Sequence, residues 1–171
     1  MPSVMKKHSI HLKPSAKRER LQQGASLIEV LVAVLILALG LLGMAGLQAN
    51  ALKTNQSSYA RGQAVMLSYY MLDAMRADRP NAILQNYNTG PVGAGGVIDS
   101  VCSEGSITGA TLADNNRKDW IGSLKRSLGD TDATCGAINC DVSGLCTVQI
   151  TWDDSRAGGL AAQRITTTSR L

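Results

Sequence analysis

The side chains best equipped for chemistry in this sequence are four cysteines, a scatter of aspartates and one isolated glutamate. Cys102, Cys135, Cys140 and Cys146 contain no Cys-x-x-Cys pair, so a thioredoxin-like redox site is not indicated. Both histidines, His8 and His11, lie near the start of the chain, away from any zinc set the thiols could complete. An even number of cysteines, all behind a long apolar run, reads as disulfide chemistry in an exported region. Three pairings are open; closeness in sequence favours Cys140–Cys146 across "DVSGL", which leaves Cys102–Cys135. Asp130, Asp132, Asp141, Asp153 and Asp154 could serve calcium, but their spacing fits no defined calcium loop, and they read as solvated turn residues. There is no Gly-x-Ser-x-Gly, no nucleotide loop and no histidine beyond the leader. No catalytic residue, cofactor or metal ligand is therefore assigned, and the protein is expected not to be an enzyme.

Glu29 differs from the other acids because of where it sits. It is the only charge in "QQGASLIEVLVAVLILALGLLGMAGLQ", and residues 30–47 carry none. A carboxylate costs a membrane helix about 2.5–3.5 kcal/mol at the bilayer centre and less towards one end, and such a residue usually has a partner. Ahead of it stand Lys6, Lys7, Lys13, Lys17, Arg18 and Arg20 against one acid, Glu19. Those six bases and one acid account for five net charges, so the chain's +4 becomes −1 without them. The basic character is thus a retention signal on the cytoplasmic side of a membrane rather than the mark of a nucleic-acid partner. The remaining chain has no basic stripe with interleaved aromatics.

Residues 30–47 are near the minimum length for a spanning helix. A plain secretory signal, with "KRER" as its basic region and a cut at "ANA" (49–51), would have a shorter apolar stretch, about 7–15 residues. Neither that reading nor a generic single-pass anchor explains Gly24 and Glu29. Ser26-x-x-Glu29 also has the form of a capping box, which would occupy the carboxylate locally.

The whole pattern, a basic leader ending in Gly24, then Ala25, Ser26, Leu27, Ile28, Glu29 and a long aliphatic helix, resembles the class III signal of type IV pilins and pseudopilins. The resemblance implies that a prepilin peptidase cuts between Gly24 and Ala25 and methylates the new amino terminus at Ala25. Most members carry Phe after the glycine, and Ala25 departs from that. Glu29 is then the residue that pairs with the amino terminus of a neighbouring subunit during assembly. Pilins commonly carry a proline within this helix, where it loosens in filaments; here no proline lies between Pro14 and Pro80, and Gly40, Gly43 and Gly46 are assigned that softening role. "GLLGMAGLQANALKTNQSSYARGQAVMLSYYMLDAMRADR" and the late "CTVQITWDDSR" narrow the resemblance to the minor pilins. This narrower resemblance implies a low-abundance subunit that primes pilus assembly, with roles in adhesion and twitching motility. It is anchored once in the inner membrane with its head in the periplasm and incorporated into the surface pilus. Implied partners are the prepilin peptidase, other minor pilins, the major pilin, the inner membrane and a pilus-tip adhesin, with no nucleic acid. Alternatives are a minor pseudopilin of a type II secretion system or a membrane-anchored periplasmic binding module with a site in residues 81–109.

The elements that must position these residues can be read from periodicity. The fold class expected is α+β and type IV pilin-like: a long N-terminal helix, its first half transmembrane, packed on a small C-terminal antiparallel sheet. Residues 1–24 form the leader, 25–79 the long helix (transmembrane over about 27–47) and 80–171 the head. At 1.5 Å per residue the helix is about 80 Å long, against a bilayer core of about 30 Å. Ala60, Ala64, Leu67, Met71 and Ala74 recur at helical spacing, widened by Met66, Tyr70 and Met75, and predict a docking face. Arg76 and Arg79 fall in the last turn and Pro80 stops the helix. Residues 81–109, with "NTGPVGAGG", read as a long loop. A second helix is predicted over about 114–128, with Asp114 as N-cap, Trp120, Leu124 and Leu128 on one face and Gly129 as its stop. Strands are predicted at 137–142 and in a terminal hairpin over about 145–170, with Cys146, Val148, Ile150 and Trp152 on one face.

Overall fold

The computed structural model describes residues 24–171. The leader bases, both histidines and Glu19 lie outside the described residues. Chain contacts divide the protein into one unit ending at Leu42 and another spanning Gly43–Leu171. In the first, Gly24, Ala25 and Ser26 precede the opening of α1 (Leu27–Ala77), a 51-residue helix. Its residues 27–42 are Leu, Ile, Val, Ala and Gly apart from Glu29, and every one is exposed. The helix α1 as a whole is long enough, and apolar enough in its first part, to cross a membrane.

In the second unit α1 has a buried face made by Ala64, Ser68, Met71, Leu72 and Met75. Ala60, Leu67 and Ala74 pack beside it, partly buried. The predicted widening by Met66 and Tyr70 is not what forms, since these side chains are 60% and 51% exposed. The face turns the other way, towards Ser68 and Leu72, because the sheet lies on that side. The Ser68 hydroxyl sits 3.0 Å from that of Thr167 on the last strand and 2.7 Å from the carbonyl of Val65.

The long helix also stops earlier than predicted. α1 ends at Ala77, and Pro80 lies in the first turn of a short helix, α2 (Arg79–Ile83). A proline there forfeits no hydrogen bond, since first-turn N–H groups have no helical acceptor. Arg76 remains in the last turn of α1, bonded to Asp73 at 2.5 Å and to Ser169 at 2.8 Å. Arg79 belongs to α2 instead and donates to the carbonyl of Leu171. Asp78, at the joint, accepts from the Asn81 amide at 2.8 Å and the Tyr87 hydroxyl at 3.1 Å.

Residues 81–109 are more ordered than the expected loop. They contain short 3-10 turns at Ala94–Gly96 and Glu104–Ser106 and bridges Val92↔Ile98 and Val101↔Gly136. They bury Tyr87, Ile98 and Ile107. The second main helix, α3 (Leu112–Leu128), starts at Thr111 rather than Asp114. Asp114 is the third helical residue, and the two form a capping box: the Thr111 hydroxyl accepts from the Asp114 N–H and the Asp114 carboxylate accepts from the Thr111 N–H. Trp120 and Leu124 are buried, Leu128 is partly buried, and Gly129 ends the helix at φ 113°.

The sheet is antiparallel with order β1 (Cys135–Cys140), β2 (Leu145–Trp152), β3 (Gln163–Arg170). β1 lies two residues earlier than predicted because Asp141 begins the turn. Its carboxylate accepts from the N–H groups of Ser143 and Leu145 at 2.8 and 2.9 Å, which closes the chain before Val142 can join a ladder. On β2, Cys146, Val148, Ile150 and Trp152 all face the core. The arrangement is α+β, with the long helix packed against a small three-stranded sheet. Trp120 locks it. Its indole N–H donates to the Leu67 carbonyl at 2.9 Å, and its ring lies over Gly136, where a Cβ would come within 2.4 Å of the ring carbons.

Candidate functional site

Gly24 and Ala25, the predicted cleavage and methylation positions, precede the helix and are exposed. Ser26 hands the chain into α1. Its carbonyl accepts from the N–H groups of Glu29 at 2.9 Å and Val30 at 3.2 Å, so Glu29 stands in the first helical turn with its side chain exposed. An acid in this turn complements the positive end of the helix dipole. Glu29 is also one turn from Ala25, four residues along the chain. Three features thus coincide within six residues: an accessible peptide bond after glycine, a helix start, and the only charge before Lys53 in the apolar run.

Gly40, Gly43 and Gly46 sit inside α1, and a Cβ added at any of them meets nothing within 4 Å. No crowding within this chain therefore requires glycine at these positions. Glycine does weaken the helix there, by about 1 kcal/mol per residue relative to alanine.

The cysteines form two bridges, Cys102–Cys135 and Cys140–Cys146. Cys140 and Cys146 are directly opposed across the β1–β2 hairpin. Cys102 fastens the 81–109 segment to the start of β1.

The acidic residues do not converge. Among the described residues no group of three or more His, Cys, Asp or Glu side chains is placed to hold a metal. Asp130 pairs with Lys125 at 3.0 Å, Asp141 serves its own turn, and Asp153 accepts from the Ser155 N–H at 2.9 Å. These local hydrogen bonds hold the Asp141 and Asp153 carboxyls below their ordinary pKa. Asp154 departs from the expectation of a solvated turn residue: it is buried, and its carboxylate accepts from the Ser57 hydroxyl on α1.

Two polar nodes in the head have no counterpart among the predicted site residues. Tyr87 is fully buried, donates to Asp78 and accepts from the Asn116 amide at 2.8 Å, and burial raises its phenol pKa. Gln149, on the strand face opposite the core stripe, accepts from the Ile98 N–H at 3.0 Å and donates to the Gly96 carbonyl at 2.7 Å. A lone tyrosine in the polar run "QNYNTG" is the one signal that points to the first; nothing local announces the second.

Residues 20–45 match the model of the prokaryotic N-terminal methylation motif. The match runs from Arg20 across Gly24, Ala25 and Glu29 into the apolar part of α1. It is a prepilin-type motif and supports a pilin- or pseudopilin-like protein that is processed by a prepilin peptidase and associates with the membrane. No curated protein and no solved structure matches the chain.

Proposed function

We propose that the chain is a minor pilin: a low-abundance structural subunit of the kind called the type IV pilus modification protein, PilV, which joins other minor pilins to prime pilus assembly. The carrying observation is the methylation motif, which runs into the apolar first part of α1, where the one charge, Glu29, stands in the first turn. In this reading the peptidase cuts between Gly24 and Ala25 and Ala25 is methylated. The helix then remains in the inner membrane with residues 80–171 in the periplasm until the subunit enters the pilus.

Glu29 meets the amino terminus of an adjacent subunit. Burial in a filament makes the pair worth keeping, because removing one partner leaves a charge uncompensated, a loss of about 3–5 kcal/mol. The exposed apolar surface of residues 27–42 has no cover within its own unit, which fits a segment that exchanges lipid for neighbouring helices.

Deleting the gene and counting surface pili tests the role. Loss of pili supports it, whereas normal piliation with failed protein secretion assigns the subunit to a type II secretion filament. Complementation with Glu29→Gln then tests the pair. Gln retains hydrogen bonding without charge, so incorporation is expected to fall at least tenfold; wild-type incorporation rejects the charge-pair role.

A further inference from the structure

A cavity of about 340 Å³ lies in the second unit where α1, the end of α3 and the β2–β3 connection meet. That is within the lower range of small-molecule sites, about 300–1,000 Å³. Its wall joins an aromatic surface to three charges. Tyr59 on α1 is 65% exposed, and Asp153, Asp154 and Arg156 come from the connection. Asp154 is 5% exposed and is fixed from both sides. Ser57 donates to its carboxylate, and the connection folds round its backbone, with its N–H on the Leu160 carbonyl at 3.1 Å and its own carbonyl accepting from Ala157 and Gly159 at 3.0 Å each. Trp152 also lines the cavity, and its buried indole N–H has no hydrogen-bond partner among the described residues.

The chemistry of this wall selects its guest. An ionised carboxylate only accepts and has about four lone-pair sites; a guanidinium and an indole N–H only donate. A cationic guest would satisfy the two aspartates but meet Arg156, and an anion would satisfy Arg156 but meet the aspartates. A hydroxyl both donates and accepts, and neighbouring hydroxyls on a ring serve both kinds of group at once. The broad exposed ring of Tyr59 suits the C–H face of such a guest.

We propose that this cavity binds a neutral polyhydroxylated ligand, a mono- or disaccharide unit, through Asp153, Asp154, Arg156 and the ring of Tyr59. The site is independent of the filament role.

Saturation-transfer NMR on the full-length protein in amine-oxide micelles, which carry no sugar headgroup, tests this. The probes are the methyl glycosides of glucose, galactose, mannose and N-acetylglucosamine, with glycerol and guanidinium chloride as comparators. At least one glycoside is expected to bind saturably in the millimolar range. Affinity should drop tenfold or more in Asp154→Asn and in Tyr59→Ala and be unchanged in Asp73→Asn, on an exposed part of α1. Tyr59 is exposed enough for its removal to leave folding intact, so undiminished binding in that variant overturns the proposal. A response no greater than that to glycerol, or saturable binding of guanidinium alone, overturns it as well.

Discussion

The two parts of α1 obey different rules. Over residues 27–42 the side chains are apolar all round and exposed all round, and their packing within the chain constrains them little. Over residues 64–75 the same helix is amphipathic, and its identity is fixed residue by residue by the sheet and α3. Glycine marks the contrast. At Gly40, Gly43 and Gly46 a methyl group would meet nothing, whereas at Gly136 it would strike the Trp120 ring. Contacts among the described residues leave the first region unspecified, whereas they specify the second residue by residue.

The disulfides constrain the second unit most strongly. Replacing Cys102 and Cys135 by Ser frees a sequence separation of 33 residues, and chain entropy alone sets the loss at about 4 kcal/mol. The Cys140–Cys146 bridge, with a separation of 6, is worth about 2 kcal/mol on the same reasoning. Denaturant unfolding of the head should show that order; equal losses would mean that the long loop is already restrained when unfolded.

Next is Gly136→Ala. Overpacking of this kind costs about 1–3 kcal/mol, because either Trp120 or β1 must move. Calorimetry reads the drop in Tm, and a Trp120→Leu background should recover part of it.

The third test is the α3 cap. The Thr111 hydroxyl, followed by Arg117, holds the Asp114 carboxyl at about pKa 2, below the ordinary value of 3.8. Because the folded-state pKa is the lower one, this contribution is complete above about pH 4 and is lost as pH falls towards 2. Thr111→Ala is expected to cost about 1 kcal/mol at pH 7 and to flatten the decline in stability between pH 4 and 2. An unchanged acid limb would show that the Thr111 hydroxyl does not hold the Asp114 carboxyl down.

The smallest effect sharpens the contrast from the other side. Replacing Gly40, Gly43 and Gly46 together by Ala should leave the head's Tm unchanged while stiffening α1 by up to about 1 kcal/mol per position. Filament incorporation should fall if the softness is used. A lowered Tm would show that these glycines serve the head after all.

Legibility in the sequence divides along the same line. Glu29, the leader charges and the apolar run are local patterns, as is the alternation of Cys146, Val148, Ile150 and Trp152, so each can be read directly. The capping box at Thr111 is hidden because its third helical residue is Asp, whereas the usual signature has Glu or Gln there. Pro80 misleads because the same residue that ends one helix can open the next. The ordering of residues 81–109 is out of reach. It depends on Gln149, more than fifty residues away from Gly96 and Ile98, and on Asn116, which holds Tyr87. Sequence spacing carries no trace of such distant pairings.

The Cys102–Cys135 bridge has a consequence for proteolysis. It closes a covalent ring that contains all of α3. A protease that nicks the chain once between those cysteines leaves two pieces still joined, and the head runs as one species until it is reduced. A nick in the β2–β3 connection, after Cys146, falls outside both rings, and denaturation alone then releases β3 as a free peptide.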